Sequence, residues 1–132
     1  MAVQYITVER GNPLDSHAPK KFYAQAKSSG VVTLKKLGKE IAEASSTVSD
    51  TDVLAVLNDL TKFLRRHLEN GEIVRLGDFG SFQITISSAG SETREKFNAS
   101  LIHKPKATFR PGADLKEMLA ILKYAKVPGD AK

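Results

Sequence analysis

Cysteine and tryptophan are both missing from the 132 residues. Without cysteine there is no disulfide framework, no thiol nucleophile and no thiolate zinc site. Histidine is scarce too: His17, His67 and His103 lie far apart, and none has a partner at triad or metal-ligand spacing. No glycine-rich phosphate loop precedes a helix. The expectation is a non-enzyme with no catalytic residue, no metal, no cofactor and no small-molecule substrate. No run approaches the roughly 18 consecutive apolar residues of a membrane span. The start, Met1-Ala2-Val3-Gln4-Tyr5, lacks the charged and apolar regions of a secretory leader. A cytoplasmic protein with no membrane partner is expected.

What is present is a foldable, mildly basic chain. Hydrophobic residues make up 41%, which is more than a disordered chain of this charge would carry. The length suits one domain plus trimmings. The net charge of +5 is uneven along the chain. Residues 33–71, the helical part, are neutral. Residues 1–32 carry an excess of two through Arg10, Lys20, Lys21 and Lys27, and residues 72–112 carry the same excess.

Three segments follow from the pattern. Residues 1–32 form a β extension, with a strand over 3–10, turn residues from Gly11 to Pro19, and a second strand expected over 20–27. Its aromatics Tyr5, Phe22 and Tyr23 are expected in the core of the extension, and could stack on RNA bases if exposed. Residues 33–123 form the main domain, and 124–132 a frayed tail. Thr33 caps a first helix to about Ala44, whose buried face includes Gly38, a sign of close approach by a neighbour. Ser49 caps a second helix that Asn70-Gly71 ends. Its apolar residues, among them Leu57, Leu60 and Leu64, fill a face about 180° wide. Such a face suits either a helix lying across a sheet or one shared between subunits.

Short strands complete the domain. Residues 73–76 make one, and 80–88 alternate Phe82, Ile84 and Ile86 with Gln83, Thr85 and Ser87. Residues 104–110 alternate again, with Lys104, Lys106, Thr108 and Arg110 on one face. Residues 113–123 form a third helix. The cations make a line about 20 Å long at 3.4 Å per residue. Beside it Gln83 and Thr85 offer neutral hydrogen-bonding groups, a combination that suits a phosphate backbone. On the residues alone, the same line is also what a solvated edge strand carries to deter aggregation.

Leu76-Gly77-Asp78-Phe79-Gly80-Ser81-Phe82, then a polar arm, then Phe109-Arg110-Pro111-Gly112 before a short amphipathic helix, resembles the HU/IHF family of bacterial histone-like DNA-binding proteins. The resemblance covers about residues 33–123, and residues 1–32 resemble the N-terminal extension of an HU-related subgroup. It implies an α+β HU/IHF-like fold: two N-terminal helices, an antiparallel sheet with a β-ribbon arm, a short C-terminal helix and an intertwined homodimer. It also implies a nucleoid-associated protein that binds double-stranded DNA through its backbone and minor groove and bends or compacts it, with little sequence specificity. The alternative is an HU-fold dimer that acts as a protein-interaction module.

Carried over by position, Lys104, Lys106 and Arg110 would contact DNA from the strand returning from the arm, with Gln83 and Thr85 beside them. Arg94 and Lys96 would do so from the arm and Lys116 from the third helix. Leu57, Leu60, Leu64, Phe79 and Phe82 would form the dimer interface. One departure stands out. The arm tip, Ala89-Gly90-Ser91-Glu92-Thr93-Arg94-Glu95-Lys96, has no proline and no net charge.

Overall fold

A computed structural model describes residues 1–45 and 47–128. The described residues contain three α-helices and two three-stranded sheets, in two compact units. One unit is Leu34–Met118. The other joins Met1–Thr33 to the segment from Leu119 onward.

The larger unit starts with α1 (Leu34–Ala44) and α2 (Asp50–Glu69). Ser49 caps α2 as expected: its backbone is extended and its hydroxyl oxygen accepts from the Asp52 N–H at 3.1 Å. Asp50 and Asp52 in the first turn, and Arg66 and His67 in the last, complement the helix dipole. At the far end Gly71, at φ +78°, takes the left-handed turn that ends the helix. Buried Gly38 on α1 faces Leu54 on α2, and a Cβ placed on it would lie 3.5 Å from the Leu54 nitrogen. α2 does pack against α1 at this glycine, as its position on the helix face signalled, but at a distance that is ordinary contact for a Cβ.

The sheet of this unit runs β3 (Val74–Arg75), β4 (Gly80–Ser88) and β5 (Ile102–Pro111), all antiparallel. Phe82 and Phe109 are paired across the ladder with ring centroids 4.9 Å apart, and Phe79 adds to the cluster at 5.5 Å from Phe109. After β5 comes α3 (Ala113–Ala120), shorter than the stretch to Lys123 that its periodicity suggested.

In the smaller unit β1 (Val3–Arg10) pairs antiparallel with β2 (Lys21–Lys27) along seven residues. On its other side β1 pairs in parallel with β6 (Tyr124–Lys126). The Val3 N–H donates to the Lys123 carbonyl at 2.8 Å, and the Val127 N–H donates to the Tyr5 carbonyl at 3.0 Å. Residues 124–126 are thus a strand, where the sequence suggested a tail. Gly129 and Asp130, also placed in that tail, lie outside the described residues. The expectation that Phe22 and Tyr23 form a core is corrected: they are 60% and 47% exposed, on an edge strand whose seven residues are all exposed.

Val53, at 8% exposure, is the one hydrophobic side chain among the described residues that is buried. Leu60, Phe63, Phe79 and Ile86 are all exposed, while Leu57, Leu64 and Phe82 are half-buried. A chain this rich in large apolar groups gains little from folding when it covers so few of them.

Candidate nucleic-acid interface

The two sequence segments that frame the sheet are locked together in space. The Gly112 N–H donates to the Phe79 carbonyl at 2.9 Å, and the Asp114 N–H donates to the Asp78 carbonyl at 3.0 Å. Within the first segment, the Leu76 N–H reaches the Gly80 carbonyl at 2.8 Å, and the Phe79 N–H reaches the Leu76 carbonyl at 3.1 Å. Gly80 is buried, and a Cβ there would lie 2.5 Å from the Arg110 carbonyl oxygen. These glycines allow backbone to meet backbone, which fixes where Arg110 leaves the sheet.

The ladder register builds the site. Arg75 stands opposite Ser81, and Ser81 stands opposite Arg110, so one row crosses all three strands with an arginine at each end. At about 4.8 Å per strand the two arginine backbones are roughly 10 Å apart. Gln83 opposite Thr108 makes the next row on this face, and Thr85 opposite Lys106 the one after. The Thr108 hydroxyl donates to the Gln83 carbonyl at 3.2 Å. Arg75, Arg110, Ser81 and the three glycines 77, 80 and 112 line a recess of about 220 Å³ at the base of the sheet.

No acidic residue occupies these rows. Among the described residues, no ion pair engages Arg75, Lys106 or Arg110. Three unpaired cations and a set of hydroxyl and amide groups therefore share one sheet face, as phosphate oxygens require.

Two expectations about this face need changing. Lys104 does not continue the row of Lys106 and Arg110. Lys106 pairs with Thr85 and His103 pairs with Ser87, so Lys104 and Pro105 together stand opposite Ile86 alone. This is a β-bulge, with Lys104 in the left-handed region at φ 51° next to a proline that has no N–H for the ladder. His103 takes the position that strict alternation assigned to Lys104. Arg75, conversely, was not singled out from the sequence. Its signal was available, since a hairpin register through Gly77-Asp78 brings strand 73–76 beside Ser81.

The arm residues are placed differently. The β4–β5 ribbon ends at Ser88 and Ile102, and the Ala89 N–H donates to the Leu101 carbonyl at 2.9 Å. Beyond it the chain forms a turn that carries its own bonds. The Lys96 Nζ pairs with the Glu92 carboxylate at 3.3 Å, and the Lys96 N–H donates to the Thr93 hydroxyl oxygen at 3.2 Å. Arg94 sits in this turn, and Lys116 is exposed on α3, where its N–H donates to the Gly112 carbonyl at 2.9 Å. Neither joins the sheet rows.

Among the described residues no helix is long and apolar enough to cross a membrane. No curated protein matches the chain. Solved structures share its fold, among them these two. A Bacteroides vulgatus protein, described as a candidate bacterial DNA-binding protein, aligns over 96% of this chain with a TM-score of 0.64 and 12% identity. The chain spans 48%, about half, of that protein's length. An Anabaena HU–DNA cocrystal structure aligns over 68% of this chain and 99% of its own, with a TM-score of 0.53 and 19% identity. The agreement extends to sequence. The family model for HU-HIG, an HU domain fused to wHTH, Ig, or Glycine-rich motif, matches residues 1–126. With that match running over nearly the whole sequence, the chain belongs to the HU-HIG family.

Proposed function

We propose that the protein is an architectural DNA-binding protein that works as a homodimer and performs no catalysis. Its site is the acid-free face of the β3–β4–β5 sheet, and the observation that carries the reading is the row Arg75–Ser81–Arg110 with Lys106 two rows along. Cations at this spacing neutralise phosphates, and the neighbouring hydroxyl and amide groups position them without reading bases. Binding is therefore governed by backbone charge and duplex shape, with low sequence specificity, and its outcome is bending or compaction of DNA in the nucleoid. The HU–DNA cocrystal of the Anabaena relative supports the same choice of partner.

The dimer is proposed on burial. With only Val53 buried among the described hydrophobic side chains, the exposed Leu60, Phe63 and Phe79 call for a second apolar surface, and an identical chain supplies one.

A second reading, an HU-fold dimer that docks on protein, has one observation in its favour. The arm tip is neutral, has no proline, and holds Lys96 in an internal ion pair with Glu92. A duplex mobility shift at about 50 and 200 mM salt separates the two. Backbone binding gives a shift that weakens steeply with salt, whereas a protein-docking module gives none at either concentration.

A further inference from the structure

The β1–β2 hairpin carries a cationic face of its own. In the antiparallel register Arg10 lies opposite Lys21, Val8 opposite Tyr23, Ile6 opposite Gln25 and Gln4 opposite Lys27. Paired residues share a face, so Arg10, Lys21, Tyr23, Gln25 and Lys27 all stand on one side of the sheet. The hairpin's one strand acid, Glu9, is paired with Phe22 on the opposite side. Among the described residues no ion pair engages Arg10, Lys21 or Lys27.

The turn end of this face is shaped as well as charged. Arg10, Lys21 and Tyr23 converge on a recess of about 380 Å³, and the turn residues completing its wall, from Gly11 to Pro13 with Ala18 and Pro19, include no acid. An arginine, a lysine and a tyrosine around one hollow carry donors suited to a phosphate group. Lys27 lies six residues from Lys21, roughly 20 Å along the strand. Lysine on an edge strand is a common guard against aggregation. That explanation does not account for the recess that Arg10 on β1 and Lys21 and Tyr23 on β2 line together.

We infer that the hairpin is a second duplex-DNA contact, with Arg10, Lys21 and Lys27 each holding a backbone phosphate and Tyr23 donating from the recess. The inference rests on the DNA-binding reading above. The extension then adds to backbone affinity instead of serving as a structural appendage.

The test compares the unmodified protein with the Arg10→Gln/Lys21→Gln/Lys27→Gln variant on one duplex titrated across salt. Three lost contacts at about 0.9 each flatten the log–log salt slope by about 2.7. An unchanged slope and affinity in a variant that still folds would overturn the inference, leaving the face to an acidic protein or to solvent. If the unmodified protein fails to bind the duplex at all, the DNA-binding reading itself falls. Lysine acetylation of the unmodified protein decides the matter even if the variant unfolds. Added duplex should protect Lys21 and Lys27 and leave Lys126 reactive, since Lys126 pairs with Tyr5 on the other face. Equal labelling of Lys21 and Lys27 with and without DNA would also refute the contact.

Discussion

Gly112 stands directly against the backbone of Asp78. A methyl group added at its Cα would meet the Asp78 carbonyl carbon at 2.7 Å, and the Gly112 N–H already donates to the next carbonyl, that of Phe79. Neither peptide can yield without breaking the junction that sets Arg110. Gly112→Ala should therefore destabilise the fold by about 1–3 kcal/mol, the usual cost of overpacking. Gly38→Ala should do the reverse. Its added methyl would sit 3.5 Å from Leu54, ordinary contact, while alanine gains up to about 1 kcal/mol of helix propensity. Urea midpoints of the two variants at one protein concentration should move in opposite directions. A stabilised Gly112→Ala would mean that the junction is looser than its geometry implies.

The dimer depends on α2. Leu60 is 41% exposed in the single chain, at the middle of the wide apolar face that begins with Val53. Obligate dimers typically bury more than about 2,000 Å². Leu60→Asp should abolish the soluble dimer and not merely weaken DNA binding. Light scattering at micromolar concentration measures this, and a monomeric mass for the unmodified protein would remove the proposal altogether.

How far the sequence reached depended on the range of the interaction. Both leading helices, the Ser49 cap, the Gly71 stop and the whole of β4 were legible, because a 3.6 or 2.0 period and a cap need only neighbouring residues. The three-residue β6 was not. It has no period of its own and exists only because β1, more than a hundred residues earlier, offers it a ladder edge. The site was legible in part for the same reason. Lys106 and Arg110 follow from alternation, but the bulge at Lys104-Pro105 shifts the count by one and puts His103 in the row. Arg75 enters the site only through the pairing of β3 with β4.

Hydrogen exchange should show the same division in the N-terminal extension. β1 is bonded to β2 from Gln4 to Arg10 and to β6 from Val3 to Tyr5, so its amides near Gln4 and Tyr5, and those from Ile6 to Arg10 that face β2, should exchange slowly in the free protein. Outward amides of edge strand β2 should exchange faster. Truncation after Lys123 should raise exchange at Val3 to Tyr5 first, where β6 pairs. Unprotected β1 amides in the full chain would instead describe a segment that folds only on a partner.

The sheet face and the arm can be weighed against each other on one duplex. Lys106 and Arg110 are unpaired and share an acid-free face, four residues or about 14 Å apart along β5. In the arm, Lys96 is tied to Glu92, and Glu95 offsets Arg94. Lys106→Ala/Arg110→Ala should flatten the salt slope by roughly two units, at about 0.9 per phosphate contact. Arg75→Ala should remove about one more. Arg94→Ala/Lys96→Ala should cost clearly less affinity and act mainly on bending, which fluorescence transfer across the duplex ends reports. An equal or larger loss from the arm pair would make the arm the principal DNA contact despite its neutral tip. If neither pair altered binding, the cations of the sheet would be a solvated face, and docking on protein would become the leading account.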